Sequence, residues 1–221
     1  MVVAIDGPAG VGKSTIAERC AREAGFLYVN SGSFYRAITL AVLESGRPPQ
    51  DRAGVIATAR ACRLETKRGG MMLDGRNVEG LIRTDAVDAW VARLSAIPEV
   101  RRIVNLRLRE IAAERDVVVE GRDIGSVVFP RAEIKIFLEA DVATRAARRH
   151  AQGTSGLSLE AIERTIAERD HVDRTKPTGR LEAAENALSI DTSHLTIDEV
   201  CERVGAAILV SKNHSGDTRR I

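Results

Sequence analysis

The run Gly7-Pro8-Ala9-Gly10-Val11-Gly12-Lys13-Ser14 matches the pattern G-x-x-x-x-G-K-S/T in full. Glycines at these positions let successive backbone N–H groups converge on phosphate oxygens without obstruction by side chains. A lysine directly after the last glycine can reach the β- and γ-phosphates of a nucleotide, and the next hydroxyl suits Mg²⁺. Thr15 continues the run. Such a loop works only between a buried strand and the N-terminal end of a helix, whose dipole adds positive potential. Both are expected here: Val2 to Ile5 is a short apolar run, and Ser14 to Ala24 has helical spacing, stopped at Gly25. The chain should therefore bind a nucleoside triphosphate with Mg²⁺.

Two further groups of residues point to a second anion. Asn30-Ser31-Gly32-Ser33-Phe34-Tyr35-Arg36 follows an apolar run at Phe26 to Val29, and Ser31 is expected to cap a helix reaching about Ser45. Glu120-Gly121-Arg122-Asp123 follows the apolar run Val117 to Val119. In a parallel sheet both segments fall at the carboxyl ends of strands, beside the phosphate loop. Glu120 stands where an acidic residue closing such a strand holds Mg²⁺ or its water. Arg145 and Arg149 are four apart on a predicted helix from Val142 to His150, so they share a face and repel unless an anion sits between them. Arg148, Arg169, Arg174, Lys176 and Arg180 add to this basic region. Mobile arginines of this kind suit phosphoryl transfer, which needs water excluded and charge neutralised.

The surrounding pattern is α/β. Strands at Val2–Ile5, Phe26–Val29, Val117–Val119, Ile134–Leu138 and Leu188–Asp191 alternate with helical segments, which calls for a parallel sheet covered on both faces. Arg63 to Val78 instead reads as a small antiparallel flap with turns at Gly69-Gly70 and Asp74-Gly75. Helices are expected at about 53–62, 84–94, 99–113, 159–169 and 197–210, with a Gly/Ser/Thr-rich linker at 152–158, an irregular basic stretch at 174–180 and a polar, frayed tail at 211–221. At 221 residues, 44% hydrophobic and 29% charged, the chain has the balance of a globular domain. With 33 basic and 31 acidic residues and only 3% aromatics, it lacks the excess charge and stacking surface of a nucleic-acid binder. No apolar run approaches the ~20 residues that span a bilayer, and the N-terminus lacks the basic segment of a secretory signal. Cys20, Cys62 and Cys201 are read as reduced thiols of a cytoplasmic protein.

A phosphate loop alone leaves a GTPase switch, an ATP-driven machine and a small-molecule kinase open. The guanine-reading N-K-x-D motif is absent, and a motor or helicase should be longer. Taken together, Ile5-Asp6-Gly7-Pro8, Asn30 to Arg36, Ile82-Arg83-Thr84, Pro98-Glu99-Val100-Arg101, Glu120 to Pro130, Lys135 to Leu138, Glu168 to Arg174 and Ile190 to Ser193 resemble the bacterial cytidylate kinases, of the nucleoside monophosphate kinase superfamily. The likeness runs from about Val2 to Ile208, and its most specific part is the G-R-D-x-G-S/T-V-V-F-P run.

The resemblance implies a kinase core with a five-stranded parallel sheet, an inserted monophosphate-binding region and an Arg-rich lid. Within one kinase domain these would be 1–30, 115–144 and 183–210 for the core, about 31–114 for the insert and about 145–182 for the lid. It implies ATP-dependent phosphorylation of CMP and dCMP to CDP and dCDP with Mg²⁺, by a cytoplasmic monomer whose partners are nucleotides rather than membranes or nucleic acid. The phosphate loop, Gly7 to Thr15, would hold ATP. Ser31, Arg36 and Arg122 would hold the CMP phosphate; Arg101 and Asp123 would read the cytosine; Arg169 and Asp173 would hold the ribose hydroxyls, with Lys176 nearby. Lys13, Arg122, Arg145 and Arg149 would act on the transferring group, and Ser14 and, through water, Glu120 would hold the metal. The family usually has Asp at the place of Asn30 and Arg at that of Lys176, and often Ser at that of Ala92. Ser95, one helical turn after Ala92, would stand in imperfectly for that hydroxyl. The runner-up reading is another small kinase acting on UMP or a metabolite hydroxyl; a nucleotide-dependent switch without catalysis is the different-class alternative. His150, His171, His194 and His214 are read as surface residues.

Overall fold

The computed structural model describes residues 1–67, 70–151, 153 and 157–217. In chain order its elements begin with strand β1 (Val2–Asp6), helix α1 (Lys13–Ala24), β2 (Leu27–Asn30), α2 (Ser31–Glu44), α3 (Arg52–Ala61), β3 (Leu64–Lys67), β4 (Gly70–Leu73) and β5 (Arg76–Asn77). They continue with α4 (Asp85–Ser95), α5 (Pro98–Glu114), β6 (Val117–Gly121), a π-helical turn (Ile124–Val128), β7 (Ile134–Glu139), α6 (Val142–Ala151), α7 (Leu159–Thr175), β8 (Leu188–Asp191) and α8 (Ile197–Asp217). Two compact units divide the chain: Met1–Tyr28 with Arg115–Ile221, and Val29–Glu114.

The first unit is built on a five-stranded parallel sheet in the order β2-β6-β1-β7-β8. Its central strands, β1 and β6, are buried along almost their whole length, which is why they read as continuous Val/Ile runs rather than alternating ones. Register sets the carboxyl edge: Ile5 lies opposite Glu120, and Asp6 opposite Gly121 and Phe137. Ile16, Ala17 and Cys20 of α1 and Val200, Cys201, Val204 and Ile208 of α8 join Val3, Ile5, Val118, Ile136 and Leu138 in one buried cluster. The helical period in α1 and α8 supplies those apolar stripes. Cys20, Cys62 and Cys201 are all buried and reduced. Burial pushes the Cys20 thiol up to about 12 and that of Cys62 up to about 11.

Two helices outrun their sequence-based limits. α7 continues past Arg169 to Thr175, because nothing between Arg169 and Pro177 breaks a helix and its last turns carry carboxylates that arginines elsewhere in the unit reach. α8 continues through the segment expected to fray, as far as Asp217. The linker expected at 152–158 lies mostly outside the described residues, as does the end of the tail, 218–221.

The second unit contains α2 to α5 and an antiparallel sheet in the order β3-β4-β5, the expected flap. α2 packs against α3, α4, α5 and β4. Phe34, Ile38 and Val42 recur along α2 at helical spacing and are fully buried, as are Val55, Val78, Val87, Val100 and Val104. Asn30, not Ser31, caps α2: its Oδ1 accepts from the Ser33 N–H at 3.2 Å. An asparagine caps as well as an aspartate, so the departure at this position keeps the helix start.

Candidate active site

The phosphate loop spans the step from β1 to α1. A Cβ at Gly7 would run into the Leu138 carbonyl oxygen of β7, so the close approach of those two strand ends requires glycine. Gly12 takes φ 91° at the start of α1, a left-handed conformation that suits glycine. Pro8, Ala9 and Val11 are buried, whereas Gly10, Ser14 and Thr15 are exposed at the N-terminal end of the helix. That end presents backbone N–H groups and the positive pole of the helix dipole. Lys13 is only 6% exposed, and its Nζ donates to the Pro8 carbonyl at 2.6 Å, folding back over the loop. Burial, and after it the Arg122 charge, holds the Lys13 ammonium well below the ordinary lysine value. Glu120, next to last in β6, is buried and accepts from the Tyr28 hydroxyl at 2.5 Å.

Past β6 the chain turns through Arg122 and Asp123 into the π-helical turn. The Asp123 carbonyl accepts from the Val127 and Val128 N–H groups, and its carboxylate is buried. Arg122 Nε donates to Asp173 Oδ2 at 2.7 Å, and Lys176 Nζ to Asp173 Oδ1 at 2.9 Å. Burial pushes the Asp173 carboxyl up, but Arg122 and Lys176 outweigh it and the net shift is downward. Lys176 thus supplies a point charge to the same carboxylate that Arg122 grips.

Arg145 departs from its expected setting. It is 2% exposed, and its Nε donates to the Ala140 carbonyl at 2.9 Å, one terminal nitrogen to the Ala9 carbonyl at 3.1 Å and the other to Asp170 Oδ2 at 2.6 Å. Its charge is met by Asp170, so no anion is needed to offset repulsion from Arg149. Arg149 is exposed, as is Arg169. Arg148, which carried no role in the sequence reading, ties α6 to Thr192 after β8 through that residue's hydroxyl and carbonyl.

In the second unit Ser31 is buried in the first turn of α2. Arg36, farther along the helix, donates to the Ile82 carbonyl at 2.9 Å and to Asp88 Oδ1 at 2.6 Å. Arg101 on α5 is buried, with its guanidinium carbon 5.5 Å from the Tyr35 ring centre, a cation–π arrangement. The Ser95 hydroxyl donates back to the Ala92 carbonyl at 3.1 Å, so it serves its own helix end.

Sequence reading missed Asp6 and Asp170. Asp6 looked like the polar residue that ends a strand, but it is 2% exposed and binds the Ile124 and Gly125 N–H groups. Asp170 lay within the quoted run Glu168 to Arg174 without a role. Its Oδ2 pairs with Arg145, while its buried Oδ1 has no hydrogen-bond partner.

A phosphate loop joining a central parallel strand to its helix, with an Arg-Asp turn at the end of the neighbouring strand, defines a phosphate-loop kinase. The chain belongs to the cytidylate kinase family, whose sequence profile matches residues 3–209. It is 41% identical over 219 residues to the cytidylate kinase of Caldanaerobacter subterraneus subsp. tengcongensis, covering 97% of this chain and 96% of that one. It is 43% identical to the cytidylate kinase of Mycobacterium leprae, covering 90% and 92%, and 39% identical to that of Limosilactobacillus reuteri, covering 93% and 94%.

Proposed function

We infer that this chain transfers the terminal phosphoryl group of ATP to CMP and dCMP, giving CDP and dCDP. The observation that carries this reading is the pairing of two loops within one sheet. The phosphate loop leaves β1 after Asp6, and the Gly121-Arg122-Asp123 turn leaves β6 opposite it. One loop suits a triphosphate, and the other brings a cation and a carboxylate for an acceptor.

The nucleophile is a phosphate oxygen of CMP, already anionic at neutral pH, so no side chain has to remove a proton. What the protein supplies is alignment and charge stabilisation. Lys13 reaches the transferring phosphoryl group, whose negative charge offsets the burial that depresses its proton affinity. Arg122 exchanges Asp173 for the acceptor phosphate, a role this reading also gives to Ser31 and Arg36. Arg101 and Asp123 read the cytosine, since a carboxylate accepts from its 4-amino group and meets only an acceptor on uracil. Asp173, once released, turns with Arg169 to the ribose hydroxyls, and Lys176 stays near them. Arg145 and Arg149 close the lid over the phosphates, Arg145 from its place against the Ala9 carbonyl.

Ser14 and Glu120 fit a magnesium ion: both offer hard oxygen donors, Glu120 through water. No cluster of three or more acidic, His or Cys side chains able to hold a metal is present among the described residues, which suits an ion that takes most of its ligands from nucleotide phosphates. When bound, the ion supplies charge neutralisation to the phosphates. Residues 31–114 serve in this reading as the monophosphate-binding insert and 145–182 as the lid. Among the described residues no helix is long and apolar enough to cross a membrane, and the same reading places the enzyme in the cytoplasm as a monomer.

A coupled ADP-release assay with CMP, dCMP, UMP, AMP and shikimate tests the assignment. CMP and dCMP should lead, with UMP closer behind than in a relative carrying serine at the Ala92 position. Turnover highest on UMP or shikimate would support the runner-up, and none on any acceptor would support a switch.

A further inference from the structure

Asp6 is the last residue of β1 and immediately precedes the phosphate loop. Its Oδ1 accepts from the Ile124 N–H at 2.8 Å and its Oδ2 from the Gly125 N–H at 2.7 Å. These are the two amides directly after Arg122-Asp123, at the start of the π-helical turn. Space is tight on that side: a Cβ at Gly125 would lie 3.2 Å from the Ala184 Cβ and 3.5 Å from Asp6 Oδ2. A carboxylate this deeply buried is expensive to keep charged; burial, against the opposing pull of the two amides, raises Asp6 to about 6. Both oxygens are turned to backbone and the residue is 2% exposed, so Asp6 acts through that turn and not on a ligand. A costly charge that grips one turn, placed at the root of another loop, is the signature of a residue that sets their register.

We propose that Asp6 is a positioning residue for the acceptor nucleotide: through the Ile124 and Gly125 amides it fixes the Arg122–Asp123 turn in register with the phosphate loop. The proposal rests on the reading that Arg122 and Asp123 contact the acceptor. It also explains a sequence feature that phosphate-loop chemistry leaves unexplained, since a triphosphate needs no carboxylate just before Gly7.

Steady-state kinetics of the full chain bearing Asp6→Asn test it. Asparagine keeps the shape but offers one acceptor to two donors and turns an NH₂ toward the other amide. KM for CMP should rise on the order of 10-fold, the effect of a charge-assisted hydrogen bond lost and an amide left unpaired, while KM for ATP moves less than about 2-fold and circular dichroism stays native. Arg122→Ala is measured beside it. If Arg122→Ala leaves KM for CMP unchanged, the acceptor reading fails and takes the proposal with it. If Arg122→Ala raises KM for CMP but Asp6→Asn moves neither KM, or moves both alike, the proposal is overturned with the acceptor reading intact. Should Asp6→Asn not fold, amide exchange in the unmodified protein decides. Slow exchange at Ile124 and Gly125 without nucleotide, unchanged by CMP, supports a preset turn; fast exchange that slows only with CMP overturns it.

Discussion

Arg145 gives its guanidinium to two backbone carbonyls and a buried carboxylate, whereas Arg36 reaches one carbonyl and the half-exposed Asp88. Both are cations in a chain that handles phosphates, but they are held on different terms. Away from water the Arg145–Asp170 pair is fixed, because losing either partner strands a charge in low dielectric. An ion pair open to solvent is worth at most about 1 kcal/mol and can be exchanged for a better anion. On these terms Arg145 is the firmly held cation of the first unit, and Arg36 is the more readily exchanged cation of the second. Arg122 stands between the two, paired with a carboxylate that is mostly but not wholly buried.

The sharpest way to break this contrast is Arg145→Met. It should cost about 3–5 kcal/mol in urea denaturation, the price of an uncompensated buried carboxylate. Adding Asp170→Leu should recover much of that loss. A cost below about 1 kcal/mol would put Arg145 in the same exchangeable class as Arg36.

Next in size is Lys13→Ala, which should lower kcat roughly 100–1,000-fold with circular dichroism unchanged. Near-normal turnover would remove the phosphate loop from the chemistry.

A third effect is a pH dependence from Asp6. Burial raises its carboxyl from 3.8 to about 6; Asp123 pushes the same way, while the Ile124 and Gly125 amides and the Lys13 charge oppose it. The folded form therefore holds the proton more tightly than the unfolded one. The stabilising contribution is complete below about pH 4 and is lost as pH rises through about 6, a change of about 3 kcal/mol. Stability measured for the unmodified protein minus that for Asp6→Asn should fall across this interval. A flat difference would mean that the carboxyl titrates normally.

The smallest effect should come from Asp88→Asn. Removing the competitor for Arg36 should change stability by less than about 1 kcal/mol and lower KM for CMP about 2-fold. An increase in KM would show that Asp88 orients Arg36 instead of competing for it.

The phosphate loop and the five core strands were legible in the sequence because each depends on neighbours within a few residues: glycines before a lysine, or a run of Val and Ile between turn residues. The antiparallel flap was legible for the same reason. Asp6 was not, since its partners lie 118 and 119 positions away and no spacing rule connects a strand end to the amides of a distant turn. The setting of Arg145 was missed likewise. An i,i+4 pair of arginines implies repulsion only if neither has a carboxylate from another helix, and Asp170 comes from 25 positions on. The end of α7 was placed too early because its last turns look like a charged loop until Arg122 and Arg145 are seen to meet their carboxylates.

The buried thiols have a consequence of another kind. A reagent that alkylates thiolates finds almost none at neutral pH, because burial holds Cys20 and Cys62 in the protonated form and raises Cys201 as well. Labelling must then wait for a local opening. Cys20 on α1 and Cys201 on α8 report when that seam parts, and Cys62, just past α3, reports on the other unit. One colourless chemistry thus gives two independent clocks, and the order in which they run tells which half of the enzyme breathes first.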